Sequence, residues 1–199
     1  MPKATDLAGL ASAALALAAG ISFLPGFGRL SRPARALVLL SIVALALWPI
    51  GPLPLGGYLR GVTGDLSIPS LLLMGRFLLR PFLHLGELRR RTRLAVESLG
   101  ALGGLLLYPL VLSGGRIDPY ALGYQDPFLL AALLGFCLLA LFLGLPEIAL
   151  GLSLAVGAYA VGFYESKNLW DYLLDPFMAA FCILGLLRRA GAAVFLRPG

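Results

Sequence analysis

Apolar positions along this chain gather into seven runs, at 6–24, 34–50, 69–88, 94–113, 128–143, 148–163 and 177–187, and the segments between them hold most of the charge. Several runs are roughly 17 to 20 residues long, enough to cross about 30 Å of hydrocarbon as a helix. They are built from Ala, Leu and Gly without alternation, which predicts helices and not the strands of a barrel. The pattern therefore predicts an all-α, polytopic integral membrane bundle of about seven transmembrane helices, forming one domain over residues 1–199.

Boundary residues support this division. Ser31 with Pro33, Asp118 with Pro119 and Asp126 with Pro127 each place a capping oxygen just before a first-turn proline, a helix-start signature. Residues 144–147 (GLPE) make so short a link that the fifth and sixth runs are expected to be antiparallel neighbours. Small residues recur at four-residue spacing at Ala8, Ser12, Ala16 and Gly20, at Gly100 and Gly104, and at Ser153 and Gly157, as helices that pack closely require. The first run, with Lys3 ahead of it, has the outline of a secretory signal but is expected to be retained as a span.

Charge sets the orientation. Ten of the sixteen Lys and Arg residues fall in three clusters: Arg29, Arg32 and Arg35; Arg89, Arg90, Arg91 and Arg93; Arg188, Arg189 and Arg197. Seven spans put all three on one side, which the positive-inside rule makes cytoplasmic, with the N-terminus outside and the C-terminus inside. Were residues 69–88 to lie flat at the interface as a basic amphipathic helix, six spans would remain and the second and third clusters would change sides. The seven-span arrangement satisfies every cluster. In a bacterial-type cell it places the chain in the inner membrane with its outer loops in the periplasm.

Composition agrees: 59% of residues are hydrophobic, 13% are charged and the mean hydropathy is +0.90, leaving too little polar surface for a soluble globule. The net charge of +6 is topological and does not indicate a nucleic-acid footprint, although juxtamembrane arginines also attract anionic lipid headgroups. Membrane lipids are thus expected partners. Cys137 and Cys182 both lie inside apolar runs and are expected to be buried free thiols. No metal-binding or cofactor motif is present, and a single histidine excludes bis-histidine haem ligation.

Two groups of polar residues are candidates for function. The first is intramembrane: Arg76, Arg80 and His84 share one face of the third run, and Glu97 lies in the fourth. If these runs form a hairpin tipped near Arg89, Arg80 and Glu97 sit within about one helical turn of 5.4 Å in depth, and an Arg80–Glu97 ion pair is expected. An unpaired charge near the bilayer centre costs about 2.5–3.5 kcal/mol on the insertion scale. The second group faces outward from three loops: Arg60 and Asp65; Arg116, Asp118 and Asp126; and Glu165, Lys167, Asp171 and Asp175. The last loop, 164–176 (YESKNLWDYLLDP), is the densest polar and aromatic stretch. The run after it is only eleven residues long before Arg188, so the helix must start early, run past the arginines, or follow a loop that dips into the membrane.

Three functions fit. The chain is expected to be an accessory or scaffold subunit of a cell-envelope assembly, docking a membrane or periplasmic protein, a lipid-linked component or a second copy through its outer surface. Alternatively it is an outer-leaflet enzyme, with carboxylates among Asp65, Glu165, Asp171 and Asp175 as acid or base and Arg60 and Arg116 holding a phosphate. As a further alternative it is a small transporter or flippase using Arg76, Arg80, His84 and Glu97 as a relay.

Overall fold

The computed structural model describes residues 4–115 and 118–195. Among these, 76% are helical and the sheet content is almost nil, so the protein is all-α. Seven longer helices alternate in direction: α1 (Ala4–Ser22), α2 (Arg32–Leu47), α4 (Ile68–Leu83), α5 (Arg90–Leu112), α6 (Pro127–Phe142), α7 (Pro146–Ala160) and α9 (Pro176–Phe195). Two short ones, α3 (Leu55–Thr63) and α8 (Trp170–Leu173), and a 3₁₀ turn at Pro119–Gly123 lie at one end. A two-residue β-hairpin, β1 (Pro49–Ile50) with β2 (Leu53–Pro54), leads into α3.

Helix starts follow local chemistry. The side chains of Ser31, Ser67 and Asp126 accept from the backbone N–H of Ala34, Ser70 and Phe128, and proline follows in the first turn of each helix. α4 carries Pro81 in its last turn and stops at His84, whose φ of 53° lies in the left-handed region. The segment carrying Arg60, expected as part of an outer loop, instead follows the hairpin as the amphipathic α3, and residues 64–67 link it to α4. Gly56 lets α3 lie against α2, since a Cβ there would stand 3.0 Å from the Ala46 carbonyl oxygen.

Packing pairs helices that are remote in sequence. α5 and α9 run antiparallel with their backbones close together: a Cβ on Gly100 would meet Cys182 Sγ at 2.5 Å, and one on Gly104 would meet Ala179 Cβ at 2.5 Å. The glycine spacing in α5 thus serves the α9 seam. α4 lies parallel to α1, with Ile68 in the same core cluster as Ala8, and Leu78 beside Ala18 and Ala19. The small residues of α1 behave differently from expectation. Ala8 and Ser12 are buried, but Gly20 is exposed, because the buried face continues through Ala13, Ala14, Ala18 and Ala19. Ser153 and Gly157 also lie on the exposed side of α7, whose buried face is Ile148, Ala149, Gly151 and Ala155. Both cysteines are free; Cys182 is buried and Cys137 half-buried.

Among the described residues, two helices, Thr5–Ser22 and Arg90–Leu112, are long and apolar enough to cross a membrane by length and composition, and Pro127–Phe142 and Pro146–Ala160 are shorter apolar helices. α9 resolves the short seventh run: it begins at Pro176, directly after a buried Asp175, and its twenty residues carry it beyond Arg188 and Arg189 to Phe195. Large side chains point away from the bundle along its flanks. Leu37, Leu40, Leu102, Leu105, Leu134 and Phe142 are each more than half exposed.

Candidate functional site

At the end of the bundle where α1, α4 and α9 begin, the segments around residues 60–70, 118–126 and 164–176 meet in a polar cap. Its centre is Asp175. The carboxylate Oδ1 accepts from the Met178 backbone N–H at 2.9 Å, capping α9. Oδ2 accepts from the Ser67 N–H at 3.0 Å, from the Ser67 hydroxyl at 2.7 Å, and from the Ser70 hydroxyl. One carboxylate therefore ties the start of α9 to the start of α4. Four donors use about all of the lone-pair sites a carboxylate has, and Asp175, Ser67 and Ser70 are all buried.

A second network joins residues 118–123 to residues 164–173. Tyr120 donates its hydroxyl to Asp171 at 2.9 and 3.0 Å, and Ser166 donates to the same carboxylate. Asn168, fully buried, donates to the Tyr120 carbonyl at 2.9 Å and accepts from the Trp170 N–H at 2.9 Å. The Trp170 indole N–H donates to the Pro119 carbonyl at 2.9 Å, and the Leu169 N–H to the Gly123 carbonyl at 2.9 Å. Gly123 is required by this approach, because a Cβ there would fall 1.7 Å from Asn168 Oδ1. Beneath the network, Tyr164 donates its hydroxyl to the Leu66 carbonyl at 2.7 Å, and the Tyr172 hydroxyl donates to the Tyr164 and Ser166 carbonyls at 3.2 and 3.1 Å.

Arg60 closes the third side. It makes a two-pronged pair with Asp65, at 2.6 and 3.0 Å, and lies 3.7 Å from Asp6 and 3.6 Å from Glu165. Its guanidinium crosses α1 at Gly9, where a Cβ would come within 2.1 Å of Nε. The hydrogen bond to Asp65 raises the Arg60 pKa further above its ordinary range; burial opposes this, and the charges of Asp65, Glu165 and Asp6 reinforce it. Burial pushes the phenols of Tyr120, Tyr164 and Tyr172 upward. The Asp171 hydrogen bond adds to this at Tyr120, and the Asp65 charge adds to it at Tyr164. These tyrosines remain neutral donors across the physiological range.

Of the outward-facing candidates, Arg60, Asp65 and Glu165 form one ionic group, while Asp171 and Asp175 sit in the two adjoining hydrogen-bond networks. Asp118 and Asp126 do not join them: each accepts from the backbone two residues ahead, at Tyr120 and Phe128, as a helix-start cap. Arg116 lies outside the described residues. Ser67, Ser70, Tyr120, Asn168, Tyr164 and Tyr172 hold the cap together but were not among the sequence-based site candidates. The Ser67-Ile-Pro-Ser70 stretch, with its serine cap before proline, was the local signal that could have drawn attention to the first two.

The intramembrane candidates are arranged differently from expectation. Arg80 does not pair with Glu97. It pairs with Glu87 at 3.0 Å, and Glu87 also holds Arg93 at 3.1 Å. Glu97, buried in the α5–α9 seam, takes a two-pronged pair from Arg189 at 2.6 and 2.9 Å. The reason is helix adjacency: α5 packs along α9, whereas α4 packs on α1 and α7. The expected pair assumed that α4 and α5 face each other as a hairpin, which they do not. Arg76 donates to the Gly86 carbonyl, and His84 ends α4. Among the described residues, the ion pairs of Arg80 and Glu97 are thus separate.

Among the described residues, no three His, Cys, Asp or Glu side chains are placed to hold a metal ion. Compared with protein-family models, with curated proteins and with solved structures, the chain matches none.

Proposed function

We propose that the protein is an integral membrane scaffold or accessory subunit that spans the bilayer seven times through α1, α2, α4, α5, α6, α7 and α9. Its polar cap lies on the outer side and its arginine clusters on the cytoplasmic side, as in a bacterial-type inner membrane. The exposed leucines and phenylalanines along the flanks support membrane burial, since a soluble monomer rarely leaves so continuous an apolar surface in water. The parallel course of α4 beside α1 supports a spanning α4 over one lying at the interface.

The observation that carries the scaffold reading is the state of the cap's ionisable groups. Asp175 accepts four hydrogen bonds, Asp171 is held by Tyr120 and Ser166, and Asp65 is paired with Arg60. Groups so engaged rigidify a surface; a general acid or base needs an acceptor left for substrate. The cap then presents Tyr58, Tyr124, Glu165 and Lys167 on a fixed frame, a mixture of aromatic and charged side chains suited to docking a protein or a lipid-linked component.

Topology is tested with single cysteines at Lys167 and Gly28, in a chain whose Cys137 and Cys182 are replaced by alanine, using an impermeant maleimide on intact cells. Labelling at position 167 and protection at position 28 are expected; the reverse overturns the orientation. Docking is tested by a photocrosslinker at position 124. A discrete adduct is expected, and a monodisperse monomer with no adduct overturns the scaffold role. The outer-leaflet enzyme reading makes the opposite prediction for Asp65→Asn and Asp171→Asn: loss of cellular activity with the fold retained.

A further inference from the structure

At the end of the bundle opposite the cap, a cleft of about 580 Å³ opens between the α1–α2 connection and the last turns of α4. Its lining divides by chemistry. Leu39, Phe77 and Leu78 are apolar, while Arg32, Arg35 and Arg80, with His84, are basic. Arg35 folds the connection by donating Nε–H to the Leu30 carbonyl at 2.9 Å and a second N–H to the Gly28 carbonyl; both partners are neutral, so its charge stays uncompensated. Arg32 is exposed in the first turn of α2. Arg80 is half exposed and meets Glu87, a carboxylate already shared with Arg93. Among the described residues, three permanent cations at the cleft thus meet one divided carboxylate. Beside them, Phe23 stacks on Phe77 with ring centroids 4.9 Å apart, and Phe23 and Leu24 are exposed.

From this arrangement we propose that the cleft binds an anionic phospholipid, with its phosphate held by Arg32 and Arg80 and an acyl chain lying along Leu39 and Phe77. The inference rests on the membrane placement proposed above, and it concerns the face away from the cap. Charge complementarity selects the occupant: a neutral lipid leaves the guanidiniums uncompensated, and a small soluble anion leaves the apolar wall wet. The volume falls within the range of small-molecule sites. A cation near the membrane surface contributes about a five-fold preference for anionic lipid.

The test is native mass spectrometry of the full chain released from nanodiscs holding equal phosphatidylglycerol and phosphatidylcholine with identical acyl chains. Preferential retention of phosphatidylglycerol is expected, falling about five-fold in Arg32→Gln and again in Arg32→Gln/Arg80→Gln. Glu87→Gln removes the competing carboxylate and is expected to raise the preference, a gain that misfolding would not produce. Arg29→Gln removes the same charge from a position that does not line the cleft and is expected to leave the preference unchanged. Equal retention of the two lipids, or an Arg29→Gln effect as large as that of Arg32→Gln, overturns the proposal. Displacement by millimolar inorganic phosphate without dependence on acyl-chain length also overturns it, reducing the cleft to a simple anion site. Failure of the membrane reading is seen separately, as a chain that stays in solution without detergent and does not enter nanodiscs.

Discussion

The two ends of the bundle handle charge in opposite ways. At the cap, Asp175 is buried and Asp65 and Asp171 are half-buried, and the three are held by neutral hydroxyls, backbone N–H groups and one arginine; some of these contacts join residues about a hundred positions apart, as Ser67 and Asp175 do. At the other end, most arginines are exposed and their partners are close in sequence: Arg35 with Gly28 and Leu30, Arg76 with Gly86, Arg93 with Glu87. A buried carboxylate without donors is expensive, so the cap must be assembled as a unit. An exposed arginine keeps its solvation and needs no such assembly. The first end therefore joins distant parts of the chain, while the second leaves most of its cations exposed.

The largest test of this contrast is Asp175→Ala, which strands the donors of Ser67, Ser70 and Met178 in a buried site. A loss of about 3–5 kcal/mol is expected in reversible unfolding in detergent, with Asp175→Asn recovering part of it because an amide oxygen still accepts. If Asp175→Ala unfolds at the wild-type midpoint, the cap is not the organising end. Glu97→Gln probes the exception at the basic half, a buried carboxylate paired across α5 and α9. It is expected to cost less, about 1–3 kcal/mol, because the partly exposed Arg189 can turn to solvent.

Alkaline titration sharpens the comparison next. The phenols of Tyr120, Tyr164 and Tyr172 are raised in the folded state above the ordinary value of about 10. A raised folded-state value means stability fully present below about pH 10 and lost as pH climbs toward the folded-state values. The unfolding midpoint should hold between about pH 7 and 9 and fall above about pH 10, and Tyr120→Phe should soften that fall. The smallest effect is expected from Glu87→Gln. The Glu87 carboxyl pKa is lowered by hydrogen bonds from Arg93 and then Arg80, but the group is solvated, so thermal unfolding of this variant should match the wild type.

Legibility in the sequence divided along the same line. The capping roles of Asp118, Asp126 and Ser31 could be read directly, because a cap depends on residues within one turn. Asp175 stands before Pro176 in the same Asp-Pro pattern, but its bonds to Ser67 and Ser70 leave no local trace, because they require α4 and α9 to start side by side. The Gly100 and Gly104 spacing announced a close helix contact without identifying α9 as the partner. The expected Arg80–Glu97 pair failed for that reason: depth along a helix is a local quantity, whereas the identity of the neighbouring helix is not.

By itself, then, the sequence determined helical class, most helix starts, the apolar flanks and the gathering of arginines toward one end, all of which follow from periodicity, capping and composition over short stretches. Tertiary structure alone decided which charges meet. α9 packs into the seam beside α5, which delivers Arg189 to Glu97, and α3 folds back over Gly9, which brings Arg60 between Asp6 and Glu165. The physical reason is that burying a charge demands a partner at about 3 Å, and only the packing of whole helices brings side chains from distant parts of the chain that close.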